Sequence, residues 1–171
     1  MKFRLAGRAD VPAVLALLAD DEISRSRAIA EGPISEGPIS EGPISEGPGG
    51  AVPEAVDAAT WAAFEAIDAD PGNELIVADD GGEVVATCQL TFTPGLSRGG
   101  AWRMTIEAVR VRTDRRGGGI GRDLMAYALN SARERGCTIA QLTTDKRRTE
   151  AHRFYAALGF IATHEGMKLT L

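Results

Sequence analysis

The stretch Arg116-Gly117-Gly118-Gly119-Ile120-Gly121-Arg122 constrains this chain more than any other. It lies between a strand-like run, Ile106 to Arg112, and a strongly helical run, Arg122 to Arg135. The glycines leave their backbone N–H groups bare of side chains and open conformations closed to other residues. A helix that begins there leaves its first N–H groups without intrahelical partners. The helix dipole adds partial positive charge, and flanking arginines add full charges. Strand, glycine loop and helix in that order read as a cradle for a phosphate or pyrophosphate.

At 171 residues the chain fits a single domain, 1–171, with a sizeable core. The apolar stretch Val11 to Ala19 is broken by Pro12 and runs into Asp20-Asp21-Glu22, so it is too short for a membrane span. Met1-Lys2-Phe3-Arg4 leads into a folded-looking segment rather than a secretory signal. Cys88 and Cys137 fall in separate strand-like segments and read as buried thiols of a reducing compartment, hence a cytoplasmic expectation. The net charge of −5 includes Glu31, Glu36, Glu41 and Glu46, without which it is −1. A near-neutral remainder offers nucleic acid no broad basic surface. Charge is local instead: Arg110, Arg112, Arg115, Arg116 and Arg122 crowd the glycine loop, opposed by Asp114 and Asp123.

Along the chain, Lys2 to Ala6 suits a short strand. Asp10 is a candidate N-cap for a helix that carries Val11, Val14, Leu15 and Leu18 and fades near Arg27. Glu-Gly-Pro-Ile-Ser then repeats from 31 to 45, with a degraded copy to 50. A Gly-Pro step in every copy breaks helix and removes a backbone donor, so 31–50 is expected to be a flexible surface insert. Val52 to Ala69 returns to helical spacing. Strands follow at Glu74 to Ala78, Glu83 to Thr93 and Ala101 to Arg112, the first two joined by the turn Asp79-Asp80-Gly81-Gly82. The helix to Arg135 is ended by Gly136. A strand at Cys137 to Thr143, a short helix at Thr149 to Leu158 and one or two strands over Phe160 to Leu171 complete the chain. The fold class is α/β, a mixed sheet flanked by helices.

The glycine loop alone leaves several phosphate ligands open. A P-loop needs Lys and then Ser or Thr after its last glycine, where Arg122-Asp123 stand. A dinucleotide fingerprint beginning at Gly119 needs glycine at 124, where Leu124 stands. The run Val109 to Arg122 instead resembles the acetyl-CoA signature of the GCN5-related N-acetyltransferase (GNAT) family, whose spaced basic residue and small residues fall on Arg116, Gly119 and Gly121. A second block, Ala151-His152-Arg153-Phe154-Tyr155-Ala156-Ala157-Leu158-Gly159-Phe160, resembles a downstream motif of the same family. The order of elements agrees from near residue 2 to the end, the repeat insert excepted.

The resemblance implies a GNAT-like acyl-CoA N-acyltransferase fold and an N-acetyltransferase that takes its acetyl group from acetyl-CoA. The expected cofactor-binding residues are Val109, Arg110, Val111, Arg116, Gly117, Gly118, Gly119, Ile120, Gly121, Arg122 and Arg148. Backbone groups of Val109 and Val111 would pair with the pantetheine arm, and N–H groups from Arg116 to Arg122 would hold the pyrophosphate. Many members carry Asn where Arg148 stands, so Arg148 is a departure that could still reach a phosphate. Tyr155 would lie beside the sulfur as general acid. Glu107, on the strand entering the loop, is the candidate general base, the other reading being a solvated glutamate paired with Arg103 or Arg110. Trp102 and Arg103 precede that strand's catalytic part and could touch the acceptor.

The expected acceptor is a primary amine, small molecule or peptide, of identity the sequence does not name. A homodimer is compatible with the chain. No nucleic acid or membrane partner is expected from the near-neutral charge and the short apolar stretches, and no metal, because His152 and His164 lack ligand partners at useful spacing. The competing expectation is a non-catalytic acyl-CoA-binding sensor or regulatory module, which would need neither Glu107 nor Tyr155.

Overall fold

The computed structural model describes residues 1–20 and 56–169. Among these residues five strands form one sheet in the order β1-β2-β3-β4-β5. They are β1 (Lys2–Leu5), β2 (Asn73–Asp80), β3 (Glu83–Pro94), β4 (Trp102–Val111) and β5 (Cys137–Leu142). The pairs from β1 to β4 are antiparallel, while β4 and β5 run parallel. That parallel step needs a crossover, supplied by helix α3 (Ile120–Glu134). Helices α1 (Val11–Ala19), α2 (Ala58–Ala69) and α4 (Thr149–Ala157) and a short turn at Ser97–Gly100 are the other helical elements of four or more residues among the described residues.

Strand alternation divides the core between the two faces of the sheet. Ile76, Cys88, Leu90, Met104 and Ile106 pack on one face against Ile120, Leu124, Ala128 and Ala132 of α3. The fourfold spacing of those helix residues makes one apolar stripe. Val77, on the other face, packs with Val14 and Leu18 of α1. Full burial of each Leu, Ile or Met here contributes about 1.5–3 kcal/mol. Arg4 ties the start of α1 to the sheet, donating to Asp10 at 2.6 and 2.9 Å and to Asp79 at 3.0 Å.

The β2–β3 hairpin closes through Gly81 and Gly82, with φ of 69° and 94°. Both residues therefore adopt the left-handed region that a two-residue hairpin favours. Other boundaries differ from expectation. Asp10 makes no side-chain cap to α1; its carboxylate accepts from the Gly7 N–H at 2.7 Å, closing the preceding turn. Helix α2 starts at Ala58, where Asp57 caps it by accepting from the Thr60 N–H at 2.8 Å; residues 52–55 of the helix expected from Val52 lie outside the described residues. The expected end of the first helix near Arg27, and the insert at 31–50, lie outside the described residues.

The final strand expected over Phe160 to Leu171 does not form across 160–169. Phe160 packs beside Tyr155, with ring centroids 5.9 Å apart. Beyond it Ile161, Met167 and Leu169 are exposed. Their apolar spacing suits a strand, but among the described residues no neighbouring strand pairs with them.

Candidate active site

Strand β4 is irregular where the sequence motif begins. Thr87 pairs with Arg110 and Gln89 with Glu107, so β4 holds one residue more than β3 across this step. The extra residue is accommodated at Ala108, which takes φ of 52°. Left-handed backbone at a residue with a Cβ costs roughly 1–2 kcal/mol, and such strain concentrates at functional sites. A bulge of this kind bends its strand and ends regular pairing. The pairing of β4 with β5 accordingly ends at Ile106 and Leu142, although β4 runs on to Val111.

The backbone exposed by this parting belongs to Val109 and Val111. The Arg112 N–H donates to the Val85 carbonyl at 2.9 Å, which points Arg112 toward β3. Alternation points Arg110 the same way and turns Val109 and Val111 toward the opening. Their carbonyls accept from arginines of this chain: Val109 from Arg110 Nη1 at 2.8 Å and Val111 from Arg116 Nε at 3.0 Å.

A short turn, Thr113–Arg115, leads from β4 into the glycine loop. Gly117 and Gly119 have φ of 80° and 88°, and a Cβ on either would project into open space within the loop. Gly118 and Ile120 complete the curve, and Gly119 caps α3 without a side-chain hydrogen bond. Apart from the hydrogen-bonded turn at 116–117, the N–H groups of 117–122 meet no acceptor among the described residues. Gly121, in the first turn of α3, lies where a Cβ would come 3.5 Å from the Phe154 ring and 3.6 Å from Val111. The end of β4, the start of α3 and helix α4 therefore meet at one place.

The arginines around the loop separate into groups. Arg112 pairs with Glu83 and Asp114, and Arg115 pairs with Asp80. Arg116 approaches Asp20, at the end of α1, at 3.8 Å. Arg122 is exposed with no ion-pair partner among the described residues. Bare N–H groups together with Arg116 and Arg122 fit a diphosphate, and among the described residues no carboxylate ion-pairs with Arg122 to oppose it. Of the basic run before α4, Lys146 pairs with Glu165 at 2.7 Å and Arg147 with Asp145 at 2.9 Å. Arg148 sits at the N-cap of α4 and acts electrostatically on Tyr155.

Tyr155 lies on α4 between Phe154 and Phe160, with ring centroids 5.2 and 5.9 Å away. Burial raises its phenol pKa above the ordinary value, and the positive charges of Arg110 and Arg148 partly offset that rise. The hydroxyl is thus protonated at neutral pH. Glu107 is the last residue of β4 before the bulge, exposed on the sheet face opposite the α3 core. Among the described residues it pairs with neither Arg103 nor Arg110, and no hydrogen bond joins it to Tyr155. Cys88 lies buried within the core, its thiol pushed up to about 12 by desolvation, so it is no nucleophile at neutral pH. Among the described residues no group of His, Cys, Asp and Glu could hold a metal ion, and no helix is long and apolar enough to cross a membrane.

The sequence singles out the loop, the valines and the tyrosine but not Ala108 or Asp20. An alanine in left-handed backbone leaves no mark on composition or periodicity. Asp20 meets Thr113 and Arg116 across more than ninety residues of chain.

Comparison with known proteins supplies an independent view of this arrangement. A model of the Acetyltransferase (GNAT) family matches residues 45–160. An aminoalkylphosphonate N-acetyltransferase of Salmonella typhimurium is 34% identical over 95 residues, 56% of this chain and 61% of that one. The chain thus spans less than two thirds of that relative. A crystal structure of a transcriptional regulator from Bacillus halodurans C-125 superposes with a TM-score of 0.83, at 39% identity and 99% coverage of both chains. A Trypanosoma brucei acetyltransferase superposes with a TM-score of 0.69 at 24% identity and 99% coverage of both, a likeness of fold alone.

Proposed function

The chain belongs to the GNAT acetyltransferase family, and on that premise we propose that it is an N-acetyltransferase carrying acetyl from acetyl-CoA to the primary amine of a small, aminoalkylphosphonate-like acceptor. The observation that carries this reading is the parting of β4 from β5 at Ala108, directly ahead of a glycine loop lined by bare N–H groups. The Salmonella relative supports the acceptor class.

In this reading the N–H groups of 117–122, with Arg116 and Arg122, hold the diphosphate of the cofactor. The backbone of Val109 and Val111 receives its amide-bearing arm. Bound acetyl-CoA supplies the acetyl group as an activated thioester. Glu107 addresses the amine, which must lose a proton before it can attack. An amine of pKa about 10.4 is neutral in roughly one molecule per thousand at pH 7, a deficit of about 4–5 kcal/mol. A carboxylate within reach accepts that proton as the C–N bond forms. Tyr155 holds its proton at neutral pH and delivers it to the departing sulfur as the C–S bond breaks. Burial, which raises its pKa, suits that role.

A panel of primary amines, read by release of free thiol and by the mass of the acetylated product, tests the proposal. Transfer to at least one small amine is expected. The Bacillus halodurans neighbour, a transcriptional regulator, favours a second reading as an acyl-CoA-binding regulatory module. Tight acetyl-CoA binding with no thiol release across the panel would select that second reading.

A further inference from the structure

We infer that Arg103 binds an anionic group of the acceptor, so that the acceptor is a zwitterion whose amine lies at Glu107 and whose anion lies at Arg103. This rests on the acetyl transfer proposed above. Alternation along β4 places Arg103, Thr105 and Glu107 on one face, while Met104 and Ile106 are buried on the other at 0% and 1% exposure. The face that carries Glu107 therefore presents one acid and one base on a single strand. Both are exposed, and neither has an ion-pair partner among the described residues.

The floor between and beside these charges is polar and fixed. Asn73, Thr91, Thr105 and Gln141 stand in register across four strands. Thr91 Oγ1 donates to Asn73 Oδ1 at 2.9 Å, and Gln141 Nε2 donates to Thr105 Oγ1 at 3.1 Å. Gln89, directly opposite Glu107, donates to Asn73 Oδ1 at 3.3 Å, a contact that leads away from the carboxylate. Glu107 is left to face whatever rests on this floor.

Spacing narrows the chemistry. Arg103 and Glu107 are four strand steps apart, about 13 Å between Cα atoms. Side chains as long as arginine and glutamate, standing on the same face with Thr105 between them, have the reach to close much of that span. What fits between is a molecule with positive and negative charges a few bonds apart. A guanidinium offers paired N–H donors matched to a carboxylate or a phosphonate. The Salmonella relative independently bears the name of such a zwitterion, an aminoalkylphosphonate.

The test compares kcat and KM for aminoethylphosphonate, β-alanine and propylamine in the wild-type protein, Arg103→Gln and Arg103→Lys. Aminoethylphosphonate or β-alanine should exceed propylamine in kcat/KM by about 10- to 100-fold, mostly through KM. The relative rank of these two separates phosphonate from carboxylate. Arg103→Gln should erase the margin over propylamine by raising KM, and Arg103→Lys should keep part of it. Equal use of charged and neutral amines by the wild type, or a margin that survives Arg103→Gln, overturns the inference. If no amine is acetylated, the proposed transfer fails, and calorimetry of aminoethylphosphonate with the CoA-loaded protein decides this inference separately. Binding lost in Arg103→Gln upholds it; absence of binding to the wild type overturns it.

Discussion

Arg116 donates its Nε–H to the carbonyl oxygen of Val111 at 3.0 Å. One side chain thereby joins the glycine loop to the edge of β4, the two surfaces that an acyl-CoA would have to touch together. Removing it should loosen both. Arg116→Ala is expected to weaken coenzyme A binding about tenfold, with the protein still folded, as measured by calorimetry and circular dichroism. Unchanged affinity would take Arg116 out of the binding site.

Tyr155→Phe tests the proton donor. Loss of the phenol should lower kcat roughly 100-fold while the dissociation constant of coenzyme A holds. The pH dependence is signed. An acid must be protonated to act, and burial lifts the Tyr155 pKa above its ordinary value near 10. Wild-type kcat should therefore hold through neutral pH and fall only on the alkaline side, above about 10. The variant should lack that alkaline limb.

Glu107→Gln tests the base. Turnover at pH 7 should fall by about 10²- to 10⁴-fold. The deficit should narrow as pH rises toward the pKa of the acceptor amine, because solvent then removes the proton that Glu107 otherwise takes. A deficit independent of pH would point to a positioning role instead.

Asp10→Asn tests the anchor of α1. The paired hydrogen bonds from Arg4, with a further one from the Gly7 N–H, hold the Asp10 carboxyl below the usual carboxylate range. A carboxyl whose pKa is lower in the folded state stabilises the fold above its unfolded pKa of about 3.9. That contribution fades as pH falls through the lower folded value. The variant should melt lower than wild type at pH 7, by on the order of 5 °C. Acid should close the gap. A gap that widens in acid would contradict this assignment.

Much of the architecture could be read from residue order, because the signals were local. Asp79-Asp80-Gly81-Gly82 turns as its glycines demand, and the stripe Ile120, Leu124, Ala128 and Ala132 becomes the buried face of α3. Local signals also misled. Met167 and Leu169 have the spacing of a strand, yet pairing depends on an edge being offered, and no local pattern reports that. The cap that Asp57 gives to the Thr60 N–H, which opens the helix at Ala58, is one side-chain hydrogen bond that apolar spacing does not report. The site divides along the same line. The cradle is contiguous in sequence and therefore legible. The bulge at Ala108 is a compromise between β3 and β5, and the approach of Asp20 to Arg116 is a meeting of distant segments.

Calorimetric titration of acetyl-CoA into the full chain tests the central claim most directly. The account predicts saturable binding of one acetyl-CoA per chain, abolished or strongly weakened when bulky residues replace Gly117 and Gly119. No heat of binding for acetyl-CoA or coenzyme A, with the protein folded, would contradict it.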